Sequence, residues 1–445
     1  MGGRVTGGDP ASAVGEIVTD SRAATRGGLF IALQGPRFDG HHFIPAVLAK
    51  GAAVMSAVPV DGGPAIRVGD TLQALQDLAH AIRTAVSARV VAITGSAGKT
   101  TTKETIAEFL SGRFRVVKNK GNLNNHIGLP LSLMQLRSEP DVAVMELGMN
   151  HAGEIRTLVA IAEPDVRVWT NVGDAHIGFF ASPEAIADAK AEILERARPA
   201  DVLVCNADDA RIMRRVHGFG GRTVTFGETP DATVRATQIE DLGLGGMRAH
   251  VTTPGGDAVI ATPLLGRGNL ANVLAATAVA SEFGITLDES AACARQLRAP
   301  DRRGAVHHLR GNVVLVDDSY NSSPSALKRS LEVIEHEGGR RKIAVLGEML
   351  ELGAHSLALH ESCGAAAAAA GVTLLVTVGG GPARAMAAAA IVAGMPEASV
   401  RHFEQSVDAA AAVVADVRAG DVILVKGSRG IRTDAIADRI LAERS

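Results

Sequence analysis

Cysteine is scarce in this sequence: its 445 residues include only Cys205, Cys293 and Cys363. These three lie far apart and form neither a CxxC pair nor a Cys/His spacing typical of zinc, which argues against a disulfide framework and a zinc site. We therefore expect a protein of the reducing cytoplasm.

Aromatic residues and excess charge are also scarce. Aromatic side chains make up 3% of the chain, so stacking platforms for single-stranded nucleic acid are not expected. The formal net charge of −3 provides no basic field for a nucleic acid or an anionic membrane. The N-terminal segment MGGRVTGGDP lacks the apolar core of a signal peptide, and no apolar run is long enough to span a bilayer. We predict no nucleic-acid partner and no membrane insertion.

The chain does have a segment typical of phosphate binding. Residues 90–104 read VVAITGSAGKTTTKE, an apolar strand followed by a glycine-containing loop, a lysine, a threonine and a helix. Such a loop aims successive backbone N–H groups inward, and the helix N-terminus adds a positive dipole. The residues that we expect to contact the phosphates of a nucleotide are Gly95, Ser96, Ala97, Gly98, Lys99, Thr100 and Thr101.

Within this segment the lysine and threonine have distinct expected roles. Lys99 can reach the terminal phosphates, and Thr100 places a hydroxyl where the Mg²⁺ of a nucleoside triphosphate needs an oxygen ligand. A full Walker A pattern has a glycine where this chain has Ile93, so the loop is a shortened GxxGKT version. An ordinary strand-to-helix turn is the alternative interpretation of this segment taken alone.

Short Val- and Ile-rich runs alternate with helical patterns from residue 90 to about residue 280. The rhythm indicates βαβ units and a mainly parallel sheet, with polar residues gathered at its carboxyl edge, where such sheets bind ligands. The predicted strands cover residues 90–94, 142–145, 166–170 and 202–205.

Three residues near this edge are candidate metal ligands. Glu146 ends an apolar run and suits Mg²⁺, although a solvated acidic residue at a strand end is the alternative. His176 follows a strand and is open to a structural or a ligand role. Lys190 lies in a helix with Ser182 as its expected N-cap and Pro183 at its first position. An exposed lysine is its plain interpretation, but a lysine with a lowered pKa could react with CO₂ to form a carbamate.

The chain divides into three expected α/β domains. A small domain covers residues 1–85, a central P-loop ATPase-like domain with a mainly parallel sheet covers 86–300, and a C-terminal Rossmann-like domain covers 301–445. The size agrees with a prior of roughly 150 residues per domain. Strands are predicted at residues 29–33, 53–56, 313–316, 343–346, 374–378 and 422–425, and helices at 41–50, 325–336 and 406–417.

Two further strand ends in the C-terminal domain could bind a ligand. The segment DDSYNSSP, from Asp317, offers carboxylate and amide groups that suit ribose hydroxyls and purine edges, or it is an Asx turn ahead of Pro324. The segment VKGSRG, from Val425, places two cations among glycines, which could meet an anion or form a solvated turn.

Taken together, these segments resemble the Mur ligases, ATP-dependent amide-forming enzymes of peptidoglycan precursor synthesis. The similarity runs in order through nearly the whole chain. It resembles most the branch that joins D-Ala-D-Ala to UDP-N-acetylmuramoyl-tripeptide. The motifs that carry the resemblance are DSR, GGLFIAL, DGHHF, ITGSAGKTTTKE, GNLNNHIGLP, ELGMNHAGEI, TNVGDAHIG, IADAKAEIL, DDSYNSSP, GEMLELGAHS and VKGSRG.

The resemblance implies specific roles for residues of this chain. Lys99, Glu146, His176 and Lys190 would be catalytic, with Thr100 and Glu146 on one Mg²⁺ and His176 and a carbamylated Lys190 on a second. Asn269 and Asp318 would contact the adenosine of ATP, and Arg303 its phosphates. The residues implied to bind the nucleotide peptide or the dipeptide are Ser21, Arg22, Phe30, Asn124, Asn125, Tyr320 and Asn321. A monomeric, cytoplasmic enzyme is expected.

The sequence also departs from the family pattern. Gly268 stands where the family usually has histidine, NSSP replaces NANP, and AKAEI replaces AKGEI. Family members usually carry a further strand and helix before the GGRVTGG segment. A ligase with a different dipeptide or acyl acceptor is therefore one alternative, and a P-loop switch that uses ATP only to change shape is another.

Overall fold

The computed structural model describes residues 2–444, which form two compact units. Residues 2–92, 114–149 and 153–166 form the first unit, and residues 93–113, 150–152 and 167–444 form the second. Neither unit is a single continuous segment, because the chain passes between them several times.

The N-terminal part of the first unit is a small α/β structure built on a five-stranded sheet. The strand order is β1-β7-β6-β3-β2, in which β1 is antiparallel to β7 and the other pairs are parallel. Its elements are β1 (Arg4–Thr6), β2 (Ile17–Val18), β3 (Leu29–Ile31), β4 (Gln34–Gly35), β5 (Phe38–Asp39), α1 (Ile44–Ala49), β6 (Ala53–Ser56), β7 (Ala65–Arg67) and α2 (Thr71–Ala85).

Successive residues of β3 face opposite sides of this sheet, as the period of two in a strand requires. Phe30 packs with Val47 and Val54 on one side, whereas Leu29 and Ile31 pack on the other. The run LFI is therefore fully buried, which explains why it reads as continuous apolar sequence.

The central part of the chain contains a nine-stranded sheet. Its strand order is β16-β15-β14-β13-β12-β11-β8-β10-β9. Its elements are β8 (Arg89–Thr94), α3 (Lys99–Ser111), β9 (Val116–Lys118), α4 (Gly128–Leu133), β10 (Val142–Glu146), α5 (Glu154–Ala162), β11 (Val166–Trp169), α6 (Pro183–Ala191), β12 (Val202–Asn206), α7 (Ala210–Met213), β13 (Arg222–Gly227), β14 (Val234–Asp241), β15 (Met247–Thr253), β16 (Gly256–Thr262), α8 (Gly266–Glu282) and α9 (Leu287–Ala294).

The four strands predicted in this region are confirmed within a residue at each end, as β8, β10, β11 and β12. Strand β9 and strands β13 to β16 were not predicted from the sequence. At one edge of the sheet, β15 pairs antiparallel with both β14 and β16. Buried and exposed residues alternate along β15, so no apolar run marked it.

The C-terminal part of the second unit is built on a six-stranded sheet in the order β17-β18-β22-β19-β20-β21. All its pairs are parallel except β17 with β18. Its elements are β17 (Ala305–Leu309), β18 (Val313–Asp318), α10 (Pro324–Glu335), β19 (Lys342–Gly347), α11 (Ser356–Ala369), β20 (Leu374–Val378), α12 (Gly381–Val392), β21 (Val400–Phe403), α13 (Ser406–Asp416), β22 (Val422–Lys426) and α14 (Asp434–Arg444).

This sheet confirms the predicted C-terminal strands and both predicted helices to within two residues. Its core joins the β-branched residues of the central strands to the apolar faces of α13 and α14. In the N-terminal region, the helix predicted at residues 41–50 is a 3₁₀ turn at Gly40–Phe43 followed by α1.

Across residues 2–444, no helix combines the length and apolar character needed to cross a bilayer.

Candidate functional site

The loop between β8 and α3 is shaped by two glycines that no larger residue could replace. A Cβ on Gly95 would lie 1.9 Å from Thr170 Oγ1, and a Cβ on Gly98 would lie 2.4 Å from Asn272 Oδ1. Gly98 also has φ +81°, in the left-handed region, and serves as the N-cap residue of α3. Helix α3 therefore begins at Lys99 with its N-terminus presented at the end of the buried strand.

Residues that follow β11 hold this loop in place. The N–H groups of Ser96 and Ala97 donate to the carbonyl and the side-chain Oδ1 of Asn171, at 3.0 and 2.9 Å. Thr170 Oγ1 donates to the Ala97 carbonyl at 2.9 Å. The amides of Ser96 and Ala97 are thus bonded to protein, which leaves the helix N-terminus after Gly98 as the part of the loop that is open to a phosphate.

Two lysines converge on one carbonyl of this loop. Lys99 Nζ donates to the Gly95 carbonyl at 2.9 Å, and Lys190 Nζ donates to the same oxygen at 3.1 Å. Lys190 is 1% exposed, and burial, followed by the positive charge of Lys99, lowers its pKa well below the usual range of lysine. A buried amine with a lowered pKa is neutral more often and can act as a nucleophile towards CO₂.

Local sequence explains how α6 delivers Lys190. Ser182 caps the helix by accepting a hydrogen bond from the Ala185 N–H, and Pro183 is its first residue. Both features agree with the sequence prediction. Lys190 follows two turns later, on the face that is buried together with Ile186 and Ala187. The interpretation of Lys190 as an exposed lysine is wrong, because the tertiary structure covers this face.

Glu146 lies in the first unit, at the end of β10, and is 4% exposed. Its Oε1 accepts a hydrogen bond from Asn124 Nδ2 at 2.8 Å. Asn119, which the sequence analysis missed, bonds both backbone groups of Glu146, donating to its carbonyl at 3.0 Å and accepting from its N–H at 3.1 Å. The alternative of a solvated carboxylate is therefore wrong, and Glu146 is a buried, oriented carboxylate.

Asn119 provides a stability prediction. Its side chain is buried and bonds the backbone of Glu146 and the carbonyl of Leu123. Asn119→Ala leaves those buried polar groups without partners, so we expect the free energy of unfolding to fall by about 2 kcal/mol. Urea denaturation measures it, with the exposed Asn122→Ala variant as the matched control. Equal midpoints for the two variants would contradict this role.

Asn124 and Asn125 are both used within the first unit. Asn124 bonds Glu146, and its carbonyl accepts from the Gly148 N–H at 2.8 Å. Asn125 Oδ1 accepts from the N–H groups of Ile127 and Gly128, at the start of α4. Their observed partners are protein groups, so a substrate contact by either residue is still a prediction.

His176 forms a contact that the sequence did not indicate. Its Nδ1 lies 2.7 Å from Glu351 Oε2, and this hydrogen bond lowers the pKa of the Glu351 carboxyl. The Glu351 carbonyl also accepts from the Gly178 N–H at 2.9 Å. A carboxylate on Nδ1 orients the ring and leaves Nε2 for another partner, an arrangement common for metal-binding histidine.

The candidate metal ligands do not form a ready-made metal cluster. Among residues 2–444, no group of three or more His, Cys, Asp and Glu side chains is arranged to hold a metal ion. The implied ligand set relies instead on a hydroxyl from Thr100 and a modified Lys190. The buried, low-pKa amine of Lys190 is chemically suited to that modification, and the carboxylate of Glu146 is a hard oxygen ligand suited to Mg²⁺.

The segment after β18 forms a charged cluster in the C-terminal part. Asp318 Oδ2 accepts from Lys426 Nζ at 2.5 Å and from Ser330 Oγ at 2.8 Å. Lys426 also donates to the carbonyl of Asn321 at 3.2 Å. DDSYNSSP and VKGSRG therefore meet at adjacent strand ends, which the parallel pairing of β18 with β22 requires.

Tyr320 lies between two arginines of the same cluster. The guanidinium of Arg303 lies 4.0 Å from the ring centroid, and that of Arg429 lies 5.6 Å from it. Both distances are typical of cation–π contacts. The cluster concentrates positive charge around an aromatic ring and so suits an anionic ligand. Arg303 and Tyr320 were both predicted as site residues, but the stacking between them was not predicted.

Asn269 is linked to the phosphate loop through α8. Its Oδ1 accepts from Asn272 Nδ2 at 3.0 Å, and Asn272 Oδ1 accepts from Thr102 Oγ1 of α3 at 3.1 Å. Asn272 also packs against Gly98. Asn272 was not predicted as a site residue, although an amide within the apolar run of a buried helix indicates a specific polar partner.

The residues implied to bind a uridine nucleotide lie in the first unit. Arg22 is exposed and pairs with Asp20 through two nitrogens, at 2.9 and 2.6 Å, which lowers the pKa of Asp20 to about 2. The carbonyl of Ser21 accepts from Lys50 Nζ at 2.9 Å. Phe30 is 1% exposed, so its ring is a core group and a ligand contact there is open only to its backbone.

Family models match most of the chain. A Mur ligase family, catalytic domain, model matches residues 14–83, the Mur ligase middle domain matches 93–280, and the Mur ligase, glutamate ligase domain, matches 302–429. The three matches follow one another along the sequence, in the order that the motifs indicated.

Curated relatives are similar over most of their length. A protein of Bacillus subtilis named UDP-N-acetylmuramoyl-tripeptide–D-alanyl-D-alanine ligase is 34% identical over 439 residues, which cover 96% of this chain and 93% of the relative. A protein of Escherichia coli with the same name is 39% identical over 355 residues, covering 79% and 78%.

Solved structures are similar over nearly the whole chain. A crystal structure of MurF from Acinetobacter baumannii has a TM-score of 0.89 at 31% identity and covers 97% of this chain and 94% of its own. The MurF ligase of Thermotoga maritima in complex with ADP has a TM-score of 0.86 at 29% identity, covering 96% and 97%. The fold and the order of motifs thus agree with one family throughout.

Proposed function

This chain belongs to the Mur ligase family, and on that premise we propose that it joins D-Ala-D-Ala to the terminal carboxylate of UDP-N-acetylmuramoyl-tripeptide, converting ATP to ADP and phosphate. The observation that carries the proposal is the pair of lysines, Lys99 and Lys190, on one carbonyl of the phosphate loop. Full-length relatives with that named activity support the choice of substrates.

The chemistry has two steps. The terminal carboxylate of the tripeptide attacks the γ-phosphorus of ATP, which gives an acyl phosphate and releases ADP. The amine of D-Ala-D-Ala then attacks the acyl carbon, so that phosphate leaves, the amide forms and the amine loses a proton. Carboxylate and triphosphate repel each other, and the positive charge of Lys99 at the helix N-terminus offsets that repulsion as the phosphoryl group transfers.

Mg²⁺ would neutralise phosphate charge and hold the reacting oxygens in position. We propose that Thr100 and Glu146 hold one ion and that His176 and carbamylated Lys190 hold a second. The hydrogen bonds of Glu146 with Asn124 and of His176 with Glu351 orient these two side chains before any ion arrives. The carbamate forms when the neutral amine of Lys190 attacks CO₂ and loses a proton.

The remaining residues implied by the resemblance are assigned to ATP, to the peptide substrates or to the uridine nucleotide. We propose that Asn269 and Asp318 contact adenosine and that Arg303 reaches the phosphates, with Tyr320 and Asn321 near the peptide substrates. Ser21, Arg22 and the backbone of Phe30 would hold the uridine nucleotide. We further propose domains at residues 1–85, 86–300 and 301–445, and a monomeric enzyme of the cytoplasm.

The test is phosphate release from ATP with defined acceptors. We expect release only when UDP-N-acetylmuramoyl-tripeptide and D-Ala-D-Ala are both present, with the pentapeptide product identified by mass. ATP turnover that needs neither acceptor would contradict the ligase and favour a P-loop switch. Release with a different dipeptide, and none with D-Ala-D-Ala, would favour a ligase of altered specificity.

Arg22 provides a prediction for substrate binding. We assign it to the uridine diphosphate, which is remote from the reacting carboxylate, so it should supply uniform binding rather than transition-state stabilisation. We expect Arg22→Ala to raise KM for the nucleotide peptide roughly tenfold, with kcat and KM for ATP unchanged. Steady-state kinetics measure it, with the exposed Arg26→Ala variant as control. A loss of kcat at saturating nucleotide peptide, with KM unaltered, would rule out this role.

A further inference from the structure

In the first turn of α8, the side chain of Arg329 lies close to where a side chain at Gly268 would point. Gly268 has no side chain, and a Cβ built there would be 3.5 Å from Arg329 Cδ, 3.7 Å from its Nη1 and 3.8 Å from its Nε. The guanidinium end of Arg329, from α10, therefore packs over the bare backbone of Gly268. All three distances are ordinary van der Waals contacts for a Cβ, so the arginine occupies the space that a side chain larger than alanine at position 268 would need.

Arg329 is partly buried and lacks the partners that usually stabilise a buried cation. Within residues 2–444, its guanidinium makes no hydrogen bond or ion pair. Burial lowers the pKa of its guanidinium, while the charges of Glu332 and Asp174 partly oppose that shift. The N-terminal end of α8 is also the positive end of the helix. Burial and the positive end of α8 both disfavour the charge of this side chain, and no hydrogen bond or ion pair of its guanidinium offsets them.

Arg329 is linked to two segments that contact the phosphate loop. Asp174, which acts on it electrostatically, lies in the loop after β11 whose Gly173 carbonyl accepts from Ser96 Oγ at 3.2 Å. On the other side, α8 reaches the loop through Asn272, which packs against Gly98. Arg329 is thus linked to the two segments that hold the loop in place. Its contact at Gly268 lies one helical turn of α8 before Asn272.

We propose that Arg329 binds the nucleoside part of ATP, its planar guanidinium lying over Gly268 and stacking on the adenine ring. The proposal rests on the use of ATP in the proposed function. A guanidinium without hydrogen-bond partners keeps its flat face available, and stacking on an aromatic ring is a favourable use of it. In the proposed function the phosphates face Lys99 and the start of α3, so the turn at Gly268 is suited to the other end of the nucleotide.

The test compares ADP with inorganic tripolyphosphate, a probe that has phosphates and no base. Both are titrated calorimetrically into the full-length chain. For Arg329→Ala we expect ADP to bind about tenfold more weakly, with the affinity for tripolyphosphate within about twofold of the parent. Arg329→Lys should recover little of the loss, since an ammonium lacks the planar face. Lys328→Ala, the preceding residue of α10, which bonds Ser362, is the matched control and should bind both probes normally.

Substitutions at Gly268 test the same contact independently. A leucine there needs the space of the guanidinium, so Gly268→Leu should weaken ADP binding about as much as Arg329→Ala. In the double variant the two losses should not add, because each removes the same contact. Gly268→Ala, whose added methyl makes only ordinary contacts, shows whether a side chain at this position is tolerated by the fold.

Three results would overturn the proposal. Unchanged ADP affinity in Arg329→Ala, with a lower melting temperature, would show that the arginine only packs. Equal losses for ADP and tripolyphosphate would assign it to the phosphates. Additive losses of ADP affinity in the double variant would show that Gly268 and Arg329 do not share one contact with the nucleotide. Because ADP binding requires neither the nucleotide peptide nor D-Ala-D-Ala, a failure of the proposed ligase reaction would leave this test decisive.

Discussion

Lys190→Ala should lose ligase activity by roughly three orders of magnitude and regain part of it with a short-chain carboxylate such as formate or acetate. The expected loss follows from the position of Lys190, buried beside Lys99 at the Gly95 carbonyl. As an ammonium it would place a second positive charge beside the first. As a carbamate it would place a negative charge there, which suits the second proposed Mg²⁺.

The rescue distinguishes the carbamate from a plain lysine. A small carboxylate can occupy the space left by the alanine and supply the anionic oxygens, whereas it cannot replace an ammonium. Carbon-13 NMR of the parent enzyme in labelled bicarbonate should show a carbamate resonance that Lys190→Ala lacks. An active parent enzyme with no such resonance, or a variant that methylamine restores and carboxylates do not, would contradict the carbamate.

Lys99→Ala should remain folded and lose turnover by roughly a thousandfold, because it removes a charge aimed at the transferring phosphoryl group. The lysine is the first residue of α3, and its ammonium bonds the Gly95 carbonyl, so the side chain is positioned before the nucleotide binds. Single-turnover phosphate release at saturating ATP measures the chemical step directly.

The two lysine variants serve as controls for each other. Carboxylates that restore Lys190→Ala should not restore Lys99→Ala, where the missing charge is positive. Circular dichroism and the melting temperature establish that each variant is folded. Near-normal turnover of Lys99→Ala would contradict the phosphate-loop assignment, and a carboxylate that restores both variants would contradict the separate roles.

The positions of the elements followed from local sequence in most of the chain. The apolar run before Gly95, the glycine at position 98 and the N-cap Ser182 determine conformation within a few residues of themselves, so strand, loop and helix could be predicted. The edge strands β14 to β16 were missed because a sheet exposed on one face alternates buried and exposed residues, and its apolar signal is weak.

The partners of the site residues could not be predicted in the same way. Lys190 and Gly95 are 95 residues apart, and His176 and Glu351 are 175 apart. Hydrophobic periodicity reports which face of an element is covered, but it does not say by which other element. The family resemblance supplied the roles of these residues, and it did not supply Asn119, Asn171 or Asn272, whose amides hold the loop and the carboxylate in position.

The sequence by itself thus determined the strand, tight turn and helix N-terminus of the predicted phosphate cradle, because all three are set by neighbouring residues. Only the tertiary structure decided what meets there. It buried Lys190 and turned it onto the carbonyl that Lys99 also bonds, and it laid Arg329 over Gly268. The pKa of a side chain and its partners depend on the dielectric and the charges around it, which distant segments create when they pack.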